Sequence, residues 1–261
     1  KLPDGTYNPP PGNTSRLIKD SDGFVWIATQ AGLHRFDGFE MRLLQHEPAN
    51  PASLPNNFVS ALAEDARKQL WIGTNSDYLV RLDLHTGNIQ ALGRRGETAR
   101  NSVQALSYFD RTGLWVGTSA GVEKMSVDSP VAIELLRFDG EPRARVYEFE
   151  RIGDDVFAAT TAGLYRFAPP AFRPVRVLSQ AVMALAQHRG RLWIGSAQGL
   201  FEWHAGKAEK VWPEDASEIR VDAIEVDPQK RVWIASRQRG LARINPFTNE
   251  VLWLPMRANV R

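Results

Sequence analysis

The chain has no cysteine among its 261 residues. Disulfide staples and cysteine-ligated zinc are therefore excluded. The compartment stays open, because a reducing cytoplasm and a bacterial periplasm both tolerate such a chain. No run of about 18 apolar residues occurs, so the sequence offers no membrane-spanning helix. Charge of one sign is also missing: 32 basic residues face 30 acidic ones, for a net charge of +2. That balance argues against a nucleic-acid partner, and the isolated pair Arg94-Arg95 reads as a solvated loop. The chain opens on Lys1-Leu2-Pro3-Asp4-Gly5 without an initiator methionine, as a mature or excised domain would.

The usual marks of catalysis are absent too. There is no Gly-Xaa-Ser-Xaa-Gly elbow and no phosphate-binding loop. The five histidines, at 34, 46, 85, 188 and 204, lack ligand-type spacing, so no metal site is expected. Asp20-Ser21-Asp22-Gly23 could open a calcium loop, but the later bidentate glutamate is missing and the segment reads as a tight turn. Asp154-Asp155 is read in the same way. Carboxylates, or a histidine, brought together only by folding are left open, as in the carboxylate pair that glycoside cleavage requires. No catalytic residue and no cofactor is expected.

What is present is a sentence written six times. Its anchors are Trp26, Trp71, Trp115, Phe157, Trp193 and Trp233, spaced 45, 44, 42, 36 and 40 residues apart. Short apolar runs at that period mark an array of small sheets. In the second unit Val59-Ser60-Ala61-Leu62, Leu70-Trp71-Ile72-Gly73-Thr74, Leu79-Val80-Arg81-Leu82 and Ile89 to Leu92 read as strands A to D, separated by polar turns. Four such strands make one propeller blade. The expected fold is an all-β propeller of four-stranded antiparallel blades, with units at 14–54, 55–98, 99–141, 142–178, 179–216 and 217–254 in a single domain over 1–261. Strand A of the last unit is read as Val221-Asp222-Ala223-Ile224.

The repeated positions have packing reasons. Two residues after each anchor stands only Gly or Ala: Ala28, Gly73, Gly117, Ala159, Gly195 and Ala235. A small residue there lets a neighbouring sheet approach. One residue further stands Thr or Ser, whose hydroxyl can bond the next turn. A glycine precedes strand C at 32, 121, 163, 199 and 240, where a positive φ is expected. The anchor aromatics should fill the space between blades, and Trp203, Trp212 and Trp253 are expected in the core or between blades.

The repeat resembles that of the two-component regulator propeller family. The resemblance rests on Asp20-Ser21-Asp22-Gly23-Phe24-Val25-Trp26-Ile27-Ala28-Thr29 with Gly32-Leu33-His34-Arg35-Phe36-Asp37-Gly38, and on Asn57 to Leu62 with Leu70 to Thr74; it covers about residues 14 to 254. It implies the periplasmic sensor region of a bacterial hybrid histidine kinase or diguanylate cyclase receptor. The expected ligand is a small extracytoplasmic molecule, saccharide or anionic. A second propeller or a homodimer is the implied partner, with the output domain outside this chain. A protein-interaction platform is the alternative, and a propeller lyase or hydrolase a third reading. Six units suit a ring of six, or part of the seven-bladed ring common in the family. Ala258-Asn259-Val260-Arg261 resembles the start of another strand A, as in Arg100-Asn101-Ser102-Val103, and points to a piece of a longer protein.

One end of each blade should collect the approach to strand A and the B–C turn. Arg16, Asn57, Asn101, Arg145, Gln180 and Arg220 come from the first set; Gln30, Asn75, Ser76, Ser119, Thr161, Gln198, Arg237 and Arg239 from the second. Two B–C turns carry an extra residue, Asn75-Ser76-Asp77-Tyr78 and Arg237-Gln238-Arg239-Gly240. Scaffold regularity does not need it. Arg16, Asn75, Tyr78, Arg145, Arg220, Arg237 and Arg239 are therefore the candidate ligand-binding residues, the arginines because guanidinium grips carboxylate or sulfate in bidentate fashion.

Overall fold

The computed structural model describes residues 13–75, 78–93, 102–118, 120–128, 133–138, 140–141, 144–212, 219–245, 248 and 250–254. The fold class is all-β, with six four-stranded antiparallel blades of propeller type. The chain groups into two compact units, Lys1–Arg137 and Phe138–Arg261, with three blades in each.

In the first unit, blade 1 comprises β1 (Thr14–Lys19), β2 (Val25–Thr29), β3 (Gly32–Phe36) and β4 (Met41–Leu44). Blade 2 comprises β5 (Val59–Glu64), β6 (Gln69–Thr74), β7 (Tyr78–Asp83) and β8 (Ile89–Gly93). Blade 3 comprises β9 (Val103–Phe109), β10 (Gly113–Thr118), β11 (Gly121–Met125) and β12 (Ile133–Leu136). In the second unit, blade 4 comprises β13 (Val146–Ile152), β14 (Asp155–Thr160), β15 (Gly163–Ala168) and β16 (Arg173–Leu178). Blade 5 comprises β17 (Val182–His188), β18 (Arg191–Ser196), β19 (Gly199–His204) and β20 (Lys207–Trp212). Blade 6 comprises β21 (Ala223–Val226), β22 (Val232–Ser236), β23 (Gly240–Ile244) and β24 (Val251–Trp253). In blade 6, strand A begins at Ala223 rather than Val221. The Val221 amide instead bonds Ser196 O of blade 5 at 3.0 Å, and the Asp222 amide bonds Ala235 O at 2.8 Å.

The second strand of a blade is buried on both faces, as a strand between two packed sheets must be; β6, β10 and β14 are each buried over their last five residues. The two faces differ. One carries the anchor and the small residue, the other Leu and Ile. In the first unit, Trp26, Ala28 and Leu33 pack against Val59, Leu62, Leu70, Ile72 and Val80. The opposite side of blade 2, with Ala61, Ala63, Trp71 and Leu79, packs against Val103, Leu106, Leu114 and Met125. In the second unit, Phe157, Ala159 and Leu164 meet Val182, Leu185, Leu192 and Ile194. Ala184, Ala186, Trp193 and Leu200 meet Val221, Ile224, Val232 and Ile234. Each buried Leu or Ile side chain contributes about 1.5–3 kcal/mol.

The small residue is demanded by the seam. A Cβ on Gly73 would overlap Val103 Cγ1, and one on Gly195 would lie 2.9 Å from Val221 Cγ1. In both units, therefore, the valine that opens one blade seats in a notch of the blade before it. The hydroxyl that follows closes the B–C turn. Thr29 Oγ1 accepts from the Ala31 amide at 3.1 Å and donates to Gly32 O at 2.9 Å; Thr118, Thr160 and Ser196 repeat the pattern. At Gly121 the backbone has φ 134°, and a Cβ would stand 2.6 Å from Leu136 O. Trp203 meets Phe157 edge-on at 5.3 Å, and Trp212 lies 5.6 Å from Trp253, so all three non-anchor tryptophans bridge blades.

One device was not read from the sequence. In blades 1, 2 and 6 an aspartate six residues before the anchor accepts its indole N–H: Asp20 from Trp26 at 2.7 Å, Asp65 from Trp71 at 2.8 Å, Asp227 from Trp233 at 2.8 Å. The same carboxylates accept amides of the A–B turn, Asp22 and Phe24 on Asp20, Arg67 and Gln69 on Asp65. Asp20-Ser21-Asp22-Gly23 is thus a turn, as expected, closed by its first residue. In blade 3, Thr112 Oγ1 accepts from Trp115 at 2.9 Å.

Blade 6 presents a different surface. The other five anchors are 0–2% exposed, whereas Trp233 is half-buried, and Leu241, Leu252 and Leu254 on the same side are 43%, 56% and 38% exposed.

Candidate functional site

The approach to strand A and the B–C turn do share one end of each blade. The Asn75 amide bonds Phe58 O at 2.9 Å in blade 2, Thr161 bonds Arg145 O at 3.0 Å in blade 4, and Ala197 bonds Ala181 O at 2.9 Å in blade 5. The extra residue is real in both turns. Ala28 pairs with Leu33, but Gly73 pairs with Leu79, one residue later. Ser236 pairs with Gly240 across three residues, where Thr29 pairs with Gly32 across two.

Blade 6 carries the densest group. Asp222 sits where the chain enters β21 and is the hub. Its Oδ1 lies 2.6 Å from Arg220 Nε and 3.6 Å from Arg237 Nε, and its Oδ2 accepts the Arg237 amide at 2.9 Å. The Gln238 side chain accepts the Arg220 amide at 3.2 Å, tying the turn back to the approach. Arg239 reaches the other way, its guanidinium carbon 6.0 Å from the Trp253 ring centroid. The Arg237 side chain is 83% exposed while Asp222 is 16% exposed. Two guanidinium groups share one sheltered carboxylate, so the cluster keeps a positive surplus facing solvent. That arrangement can take a carboxylate, sulfate or phosphate oxygen. The ion pairs themselves add little to stability, being partly exposed.

The other expected residues do not join this group. Arg145 is exposed at the mouth of blade 4, its amide on Thr161 Oγ1 at 3.0 Å and its guanidinium 5.4 Å from the Tyr147 ring. Asn75 is exposed on blade 2. Arg16 lies within β1 opposite Ala28, half-buried, and not in the turn before the strand. Ser76, Asn101, Ser119 and Asn259 fall outside the described residues, as does the Tyr78 side chain. Sequence reading missed Asp222 because it looked like an ordinary residue of strand A.

Two cavities open at the opposite end, where the A–B and C–D turns gather. One, of about 450 Å³, is bounded by Arg191, Glu202, His204, Lys207 and Glu209 of blade 5. The other, of about 430 Å³, is bounded by Tyr108, Arg111, Lys124, Asp128 and Glu134 of blade 3. Among the described residues, no group of three or more His, Asp or Glu is placed to hold a metal ion. Among the described residues, no helix is long and apolar enough to cross a membrane.

Residues 53–76, the entry to blade 2 and its first two strands, match the two component regulator propeller family. This stretch is similar to one copy of that family's repeat. It is similar to the crystal structure of the extracellular domain of the hybrid two component system BT3049 from B. thetaiotaomicron, with TM-score 0.78 and 18% identity, over 94% of this chain and 35% of that one. It is also similar to the extracellular domain of BT4673 from the same organism, with TM-score 0.60 and 16% identity, over 87% of this chain and 37% of that one. The chain thus spans about a third of the length of those domains. Virginiamycin B lyase from Staphylococcus aureus shares the fold at TM-score 0.71 and 10% identity, over 94% of this chain and 85% of that one. No curated protein matches the sequence.

Proposed function

We propose that this chain is a non-catalytic ligand-sensing propeller from the extracytoplasmic part of a bacterial signal-transduction receptor, located in the periplasm. Two things support the reading: the family's repeat over residues 53–76, and the likeness to receptor extracellular domains over nearly the whole chain. The site is the turn-bearing end of blade 6, with Arg220, Arg237 and Arg239 as the anion-gripping groups. The observation that carries this assignment is the single carboxylate of Asp222 shared between Arg220 and Arg237. It holds two cations together without neutralising them both. The ligand class is a small acidic molecule, such as an acidic saccharide. Its binding passes a signal only where it favours one packing of the receptor over another.

The test is titration calorimetry of the chain against a panel of acidic and neutral mono- and oligosaccharides. Binding confined to acidic members, and weakened at least tenfold in Arg237→Glu/Arg239→Glu, supports the reading. Equal binding by the variant, or no acidic ligand in the panel, removes it.

A further inference from the structure

In blades 1 to 5 the strand-C residue paired with the small residue lies on the anchor face: Leu33, Leu79, Val122, Leu164 and Leu200. All five are 0–3% exposed. In blade 6 that place belongs to Leu241, opposite Ala235, and it is 43% exposed. Leu252, in line with Trp233 through Arg243, is 56% exposed. Leu254, whose amide bonds Leu241 O at 2.9 Å, is 38% exposed. Ala235 itself is half-buried, whereas Ala28 and Ala159 are 0% exposed. Three leucines thus stay open to solvent around a socket on the face that the other blades bury.

Within each unit, what covers an anchor face is the leucine and isoleucine face of the following blade. The chain carries one more face of that second kind, on blade 1. Leu17 stands opposite Ile27 as Leu62 stands opposite Ile72 in blade 2 and Leu185 opposite Ile194 in blade 5. Leu62 and Leu185 are 2% and 3% exposed, but Leu17 is 58% exposed. The same rung runs on through buried His34 to Leu43, which is 43% exposed. Thr14 pairs with Thr29 as Val59 pairs with Thr74. It is β-branched like valine, and it is exposed. Lys19 on this face and Glu225 on the blade 6 face are exposed and opposite in charge. Blade 1 thus offers the kind of cover that blade 6 lacks.

We propose that the anchor face of blade 6 in one copy of this chain packs on the leucine and isoleucine face of blade 1 in a second copy. Thr14 and Leu17 then join Ala235 and Leu241, as Val59 and Leu62 join Ala28 and Leu33 in one core cluster. Contiguous exposed apolar residues of this sort mark a protein contact. The two faces differ, so a pair of chains leaves one face of each kind open to further copies. The contact does not depend on the anion-gripping arginines.

The experiment follows the mass of the 261-residue chain by sedimentation as its concentration rises. The average mass should climb beyond that of one chain. Leu17→Glu spoils the blade 1 face and Leu252→Glu the blade 6 face. Each alters an exposed residue, so Tm should stay within about 2 °C. Either variant alone should associate more weakly, by about tenfold or more. Mixed in equal amounts they should form pairs, because Leu17→Glu keeps a sound blade 6 and Leu252→Glu a sound blade 1. Those pairs should not grow further. Leu43→Glu and Leu241→Glu replace the two if either fails to fold. A mass of one chain at every concentration overturns the proposal and leaves the face to a different partner. Association that neither variant weakens, or a mixture in which no pairs form, overturns it as well.

Discussion

Trp71 Nε1 donates to Asp65 Oδ2 at 2.8 Å, while Asp65 Oδ1 accepts the amides of Arg67 and Gln69 at 2.8 and 3.0 Å. One side chain, 5% exposed, thus closes a turn and orients the largest ring of a seam. Asp65→Ala leaves an indole N–H and two amides without their acceptor and should cost about 2–4 kcal/mol, read as a lower urea midpoint at unchanged m. A loss below about 0.5 kcal/mol would mean that the bond orients nothing.

Blade 4 offers the reverse experiment. Phe157→Trp adds an indole to a blade where Ile152, opposite Asp155, holds the place that the aspartate takes in blades 1, 2 and 6, and should lower stability. Adding Ile152→Asp should recover part of the loss. The sign of the coupling in a double-mutant cycle is the check: destabilisations that simply add would refute the pairing rule.

The notch at Gly73 predicts a steric penalty. Gly73→Ala drives a methyl into Val103 Cγ1 and should cost about 1–3 kcal/mol, relieved in the Gly73→Ala/Val103→Ala pair. Thermal unfolding of the four proteins of the cycle decides it.

Acid should unfold the chain partly through Asp227. Burial pushes its carboxyl up, but hydrogen bonds from Trp233 and Arg231 and the Arg231 charge outweigh that and hold the pKa at about 2, against an ordinary 3.8. A carboxylate whose pKa is depressed on folding contributes stability that is present above the ordinary value and lost as pH falls through the folded one. Stability should therefore drop between pH 4 and pH 2, and Asp227→Asn should flatten that slope. An unchanged slope would place the acid sensitivity elsewhere; Asp83, held at about 2 by bonds from Gln69 and Thr86, is the next group to test.

Asp222→Ala removes the shared acceptor at the mouth of blade 6. The Arg237 amide loses its 2.9 Å bond and should exchange hydrogen about tenfold faster, with the core strands unaffected. Uniform acceleration across blade 6 would show instead that the cluster supports the whole sheet.

Much of the scaffold was legible because it is written repeatedly. The small residue and the hydroxyl recur at fixed offsets from the anchor, and a glycine precedes strand C in five units; each proved to have a steric or hydrogen-bonding cause. The aspartate latch was equally visible as Asp20, Asp65 and Asp227, each six residues before a tryptophan. It was passed over because its role depends on strand register, which a composition of turn residues does not reveal. The site was less legible. Arg220 and Arg237 meet through Asp222, which stands just before β21 where the preceding Val221 amide bonds Ser196 O of the neighbouring blade. Arg16 looked like a turn residue and is held inside β1.

The valine-in-notch seam has a further consequence. Blades 2 and 5 each hold a socket, at Gly73 and Gly195, for the valine that leads into the next blade, so these two seams are polar and run the same way along the chain. A copy inserted by gene duplication meets compatible surfaces on both flanks at once, provided it is inserted head to tail. Growth and shrinkage by whole blades thus cost no redesign of the neighbours, whereas an inverted copy would set knob against knob. Such a lineage can change its blade number freely and still keep the divergence it needs in the turns.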